Sequence, residues 1–143
     1  DAREVEFSVL GNGDESTIVS GPGEIGLPPG TWYDYDNKYI KDVATLQIPA
    51  ALPDELTARM QDICLRAFRL TGCKGLARVD FLVDRTTLEP YLNEINTMPG
   101  FTSISMYPKL LGHIGLGYTE VLTRLCDLAL THHADRQKLS VTR

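Results

Sequence analysis

The stretch "LARVDFLVDRTTLEPYLNEIN", residues 76–96, decides the fold. In its first nine residues Arg78, Asp80 and Leu82 alternate with Val79, Phe81 and Val83, the period of a strand with one polar and one apolar face. "RTTL", residues 85–88, then reads as a turn, and "EPYLNEIN", residues 89–96, as a second strand. Residues two apart on a strand point the same way, so antiparallel pairing brings Asp80 towards Glu94 and Asn96. The strand then breaks at Met98-Pro99-Gly100, and the hydroxyls Thr102, Ser103 and Ser105 lead towards a helix.

Upstream, "EVEFSVL" (4–10) sets Val5, Phe7 and Val9 against Glu4, Glu6 and Ser8, which predicts another half-buried strand. "GNGDES" reads as a turn before a short strand over 17–20, and "GPGEIGLPPG" suits turns and a sheet edge but no helix. Residues 31–42, "TWYDYDNKYIKD", read as an ordered aromatic loop. A helix is predicted near residues 53 to 71, with Pro53 at its start, Asp54 and Glu55 in its positive first turn and Gly72 where a C-cap belongs. Further helices are predicted within 105–115 and 118–133, and 134–143 is expected to be a flexible tail. These elements make one α+β unit over 1–133, a mostly antiparallel sheet backed by helices.

Composition narrows the function. The 143 residues are 43% hydrophobic and 23% charged, with a formal net charge of -5. That suits one globular domain with a sizeable core. No apolar run approaches the roughly 20 residues needed to span a bilayer. The absence of a Lys/Arg cluster argues against nucleic acid and membrane partners. Cys64, Cys73 and Cys126 are odd in number and lack CxxC spacing, and the helical patterns around Cys64 and Cys126 predict buried, reduced thiols. No secretory signal opens the chain, so a reducing cytoplasm is expected. The chain starts without Met at the edge of a strand, so it is expected to be a piece of a longer protein.

Asp80, Glu94 and Asn96 would offer three oxygen donors on one face, a set that suits Mg²⁺ completed by water and phosphate oxygens. The competing reading is a solvated face with ordinary surface acids. Arg78 shares that face and would either stabilise developing negative charge or simply pair with Asp80 or Glu94. Gly100 and the hydroxyls after it suit binding of a carboxylate or phosphate at a helix N-terminus, against the plainer reading of an N-cap at Ser103 or Ser105. Lys38 beside Tyr39 would meet a phosphate, or the loop around them is held by aromatic self-packing.

Taken in order, "REVEFSVLG", "GTWYDYDNKY", "GCKGLARVDFLVD", "NEINTMPGFTSISMYPKL" and "GLGYTEVLTRLCDLAL" resemble the C-terminal part of the D-alanine-D-alanine ligases of the ATP-grasp superfamily. The resemblance covers nearly all of the chain up to about residue 133 and implies the C-terminal half of an ATP-grasp domain. It implies ATP-dependent joining of two D-alanines for peptidoglycan precursors: the first carboxylate is phosphorylated and the second amine attacks it. Asp80, Glu94 and Asn96 would hold two Mg²⁺ or Mn²⁺ ions bridging the ATP phosphates. Arg78 and the Gly100 N–H would stabilise the tetrahedral oxyanion, and Ser105 with the Met106 backbone would hold the carboxylate of the second D-alanine. Lys38 would contact the γ-phosphate, Glu4 the ribose, and Trp32 would lie near the adenine.

Tyr39 implies the dipeptide-forming type, since relatives that make D-alanyl-D-lactate generally lack tyrosine there. The resemblance implies homodimers of the longer enzyme. Nothing in the chain corresponds to the N-terminal domain or first half of the ATP-grasp module of such ligases, so the chain alone is expected to be inactive. Another ATP-grasp carboxylate-amine or depsipeptide ligase, or a non-catalytic nucleotide-binding fragment, are the alternatives.

Overall fold

A computed structural model describes residues 1–26 and 45–139. Its element order is β1 (Ala2–Gly11), β2 (Ile18–Val19), β3 (Gly23–Gly26), β4 (Thr45–Gln47), α1 (Asp54–Leu70), β5 (Gly75–Asp84), β6 (Pro90–Asn96), α2 (Met106–His113) and α3 (Tyr118–Gln137). The strands form one sheet in the order β4-β3-β1-β5-β6, with β2 paired to the far end of β1. Every pairing is antiparallel.

The hairpin read from residues 76–96 forms, with Asp84 closing its turn: its Oδ1 accepts the Thr86 and Thr87 N–H groups at 2.8 and 2.7 Å. The dominant partner of β5 is nevertheless β1, in register from Ala2↔Asp84 to Gly11↔Gly75. The expected hairpin of the first strand with residues 17–20 shrinks to two pairs, Val9↔Val19 and Leu10↔Ile18.

Period-2 patterning on β1 and β5 places Val5, Phe7, Val9, Val79, Phe81 and Val83 on one face, where they pack with Met60, Cys64 and Phe68 of α1. Phe7 and Phe81 meet edge to face with centroids 5.8 Å apart, the arrangement that ring quadrupoles favour. α1 ends as its glycine predicts. Gly72 adopts φ +70, its N–H donates to Arg69 O at 3.1 Å and the Cys73 N–H to Phe68 O at 3.0 Å. These are the two bonds of a Schellman cap, which favours a residue without Cβ at that position.

On the other face Leu10, Tyr107, Leu111, Leu116 and Val121 bring α2 and α3 against one end of the sheet. The polar residues of β1, β5 and β6 occupy the same face beyond them. Two expectations change here. α3 continues to Gln137, into the stretch 134–143 expected to be a tail. Cys126 is exposed, unlike buried Cys64, because only Val121 of α3 is buried.

Candidate active site

Arg78 is the hub of the polar face. On β5 it stands opposite Ser8 of β1 and Asn96 of β6, while Asp80 stands opposite Glu6 and Glu94. A register irregularity between Asp80 and Phe81 lets Asn93 bulge from β6, so Glu94, rather than Asn93, meets Asp80. Arg78 Nε donates to Asp80 Oδ1 and Nη2 to Asp80 Oδ2, both at 2.8 Å. Nε also lies 3.1 Å from Glu6 Oε2, and Nη2 lies 3.9 Å from Glu94 Oε1.

The cluster is graded from closed to open. The side chains of Glu6, Arg78 and Asp80 are 4%, 11% and 13% exposed, against 57% for Glu94. Burial works against the charge of Arg78, but the hydrogen bonds to Asp80 and the fields of Glu6, Asp80 and Glu94 outweigh it and raise the guanidinium above its ordinary pKa. The group is a fixed cation.

Beyond β6, Asn96 Oδ1 accepts the Met98 N–H at 3.0 Å and turns the chain into the loop carrying Gly100. Phe101 anchors that loop, its ring 5.7 Å from Tyr107 and 5.1 Å from Tyr118, and its carbonyl accepts the Tyr118 hydroxyl at 2.9 Å. Ser105 occupies the N-cap position of α2 but makes no capping side-chain bond. Its Oγ accepts the Thr102 N–H at 3.0 Å and lies 2.8 Å from Thr102 Oγ1, and it would stand 3.0 Å from a Cβ added to Gly100. The first turn of α2 is pinned to β1 from both sides: Ser8 Oγ donates to Tyr107 O, and the Tyr107 hydroxyl donates to Val9 O, each at 3.0 Å. Burial pushes the Tyr107 hydroxyl up from its usual pKa.

Arg78, Asp80 and Glu94 thus converge, with Asn96 opposite Arg78, as the hairpin reading expected. Glu4 lies on the same strand face as Glu6, opposite Leu82 and Ile25. Trp32, Lys38 and Tyr39 lie outside the described residues. Among the described residues, no group of three or more His, Cys, Asp and Glu side chains is arranged to hold a metal. Two opposed carboxylates and an amide oxygen remain a hard-oxygen set of the type that Mg²⁺ or Mn²⁺ takes with water and phosphate completing its shell.

Sequence reasoning missed the place of Glu6 beside Arg78 and the anchoring role of Ser8 and Tyr107. The alternation Glu4, Glu6, Ser8 was the available signal, but only the β1–β5 register turns it into a contact.

The family model described as the D-ala D-ala ligase C-terminus matches residues 1–127. A D-alanine–D-alanine ligase of Chloroherpeton thalassium is 47% identical over 136 residues, 95% of this chain and 36% of that protein. One from Chlorobium phaeovibrioides is 52% identical over 128 residues, 90% of this chain and 35% of its own length. This chain thus spans about a third of such relatives. The structure of the D-alanine-D-alanine ligase from Coxiella burnetii superposes with TM-score 0.79 at 38% identity, covering 96% of this chain and 34% of that one. The VanG D-Ala:D-Ser ligase of Enterococcus faecalis gives 0.75 at 35% identity, covering 90% and 36%. With the family model matching residues 1–127 and the fold superposing along nearly its whole length, the chain belongs to the D-alanine–D-alanine ligase C-terminus family.

Proposed function

We propose that this chain supplies the metal-binding and second-substrate side of an ATP-dependent ligase that joins two D-alanines through an acyl phosphate, for peptidoglycan precursors in the cytoplasm. The observation that carries the reading is the Arg78-centred carboxylate cluster on the sheet face that also docks the first turn of α2, in a chain of this family. Asp80, Glu94 and Asn96 would hold Mg²⁺ or Mn²⁺, which neutralises phosphate charge and aligns the reacting oxygens. Arg78, kept cationic and oriented by its fork onto Asp80, stabilises the oxyanion together with the Gly100 N–H. Ser105 Oγ and the Met106 backbone at the start of α2 take the acceptor carboxylate, where the helix dipole favours an anion.

Glu4 would hold the ribose, Lys38 the γ-phosphate, and Trp32 would sit near the adenine. Tyr39 would close its loop over the reacting groups and keep water from the acyl phosphate. On this reading the rest of the site would be supplied by a longer protein, of which this chain alone would be an inactive part, and that longer enzyme would work as a homodimer.

The test is ADP release by the full-length protein from Mg-ATP, with D-alanine, D-serine or D-lactate as acceptor. D-alanine stimulates release, and Asp80→Asn or Glu94→Gln lowers it by at least 100-fold. Near-normal turnover in both variants removes the metal assignment, and a preference for D-lactate makes the protein a depsipeptide ligase instead.

A further inference from the structure

Arg78 Nε carries one hydrogen, and two carboxylate oxygens from different strands stand within 3.1 Å of it. The hydrogen is directed at Asp80 Oδ1, at 2.8 Å. Glu6 Oε2 contacts the same nitrogen from the β1 side, at 3.1 Å. The two acids differ in what else they can do. Asp80 stands opposite Glu94, the exposed acid of the cluster, whereas Glu6 is 3% exposed as a residue and lies on β1 between β3 and β5. Its neighbour across β3 is Gly23, where an added Cβ would meet Met106 and Leu110 of α2 at 2.7 and 2.8 Å, so α2 closes over this part of the face. A carboxylate so placed is poorly sited to reach substrate, yet a buried charge in this position needs its partner.

The geometry points to Glu6 as the positioning residue for Arg78, a buried counter-charge that keeps the guanidinium aimed when Asp80 is engaged elsewhere. This rests on the ligase reading above. If Asp80 gives lone pairs to a cation, the Nε hydrogen transfers its allegiance over a few tenths of an ångström to Glu6. The guanidinium then needs no large rotation and no stretch with an unpaired buried charge. Without Glu6, Arg78 keeps Asp80 at 2.8 Å and Glu94 at 3.9 Å among the described residues, and it competes with the cation for both carboxylates.

Glu6→Gln keeps the volume and one acceptor oxygen of the side chain and removes its charge. In the full-length protein it should lower kcat for D-alanine-dependent ADP release by about 10–100-fold while KM for ATP changes less than 3-fold. Mn²⁺ affinity, read by EPR titration in the presence of ADP, should weaken at least 3-fold. In an Arg78→Lys background the same substitution should cost less than 2-fold in kcat, because Glu6 acts through the guanidinium. A kcat within 2-fold of the unsubstituted protein, an equal loss in the Arg78→Lys background, or unchanged Mn²⁺ affinity overturns the role of Glu6 alone. An unsubstituted protein whose ADP release ignores D-alanine overturns the ligase reading and this role together.

Discussion

At the scale of single residues, the molecule uses charge pairs in two ways. The Arg78 cluster is a cation among three acids whose exposure rises outward from Glu6 to Glu94. Arg3 and Glu24 form an ordinary structural pair at the other end of β1. Arg3 Nε and Nη2 donate to Glu24 Oε1 and Oε2 at 2.9 and 2.7 Å, and Nη2 also reaches Ala51 O at 3.0 Å. Those hydrogen bonds from Arg3, opposed by partial burial and helped by the charge of Arg3, hold the Glu24 carboxyl below its usual pKa. A depressed carboxyl stabilises the fold above its unfolded pKa and loses that contribution as pH falls through the folded value. Glu24→Gln should therefore cost about 1.5–3 kcal/mol at pH 7. Urea unfolding should show that difference shrinking as pH drops below the ordinary glutamate range near 4.5. A difference that stays constant down to pH 3 would show that the ion pair contributes nothing.

At the scale of elements, α2 is the part that connects fold to site. Its sequence gives it a buried side, with Met106, Tyr107, Leu110 and Leu111 all covered, and a first turn tied to β1 through Ser8 and Val9. Gly23 sets how closely it sits on the sheet, since an added Cβ would lie 2.7 Å from Met106 Sδ. Both colliding groups are side-chain ends, so the fold survives Gly23→Ala, but the helix must shift or Met106 must adopt another rotamer. A cost of about 1–3 kcal/mol is expected from overpacking. If the start of α2 holds the acceptor as proposed, KM for D-alanine in the full-length protein should rise more than KM for ATP, because that turn moves while Asp80 and Glu94 do not. Equal changes in both constants would place the effect outside α2.

At the scale of the whole molecule, α1 packs on one face of the sheet, and among the described residues α2 and α3 pack on one end of the other face, beside the polar rows. Stability rests on the α1 face, where Phe7, Phe68 and Phe81 are almost wholly buried. Phe81→Ala removes the edge-to-face contact with Phe7 and leaves a cavity in a close-packed core, so it should cost about 3–5 kcal/mol. Chemical denaturation checks this, and a loss under 1 kcal/mol would mean that the two faces do not share one cooperative core.

The sequence by itself determined the hairpin of residues 76–96, the span of α1 and its glycine cap, and the α+β class, because alternation and cap residues act over a few neighbouring positions. It also put Asp80, Glu94 and Asn96 on the polar side of that hairpin, but the register continued from the turn would set Asp80 opposite Asn93, and the bulge that brings Glu94 there instead is a feature of the structure. Only the tertiary structure decided that β1 pairs with β5 across some seventy residues of chain, because local patterning says which face a strand buries and not which strand it joins. That pairing brings Glu6 to Arg78. Nor does local patterning say that Ser105 Oγ accepts the Thr102 N–H instead of capping α2, because a serine hydroxyl can serve either backbone donor within the same few residues.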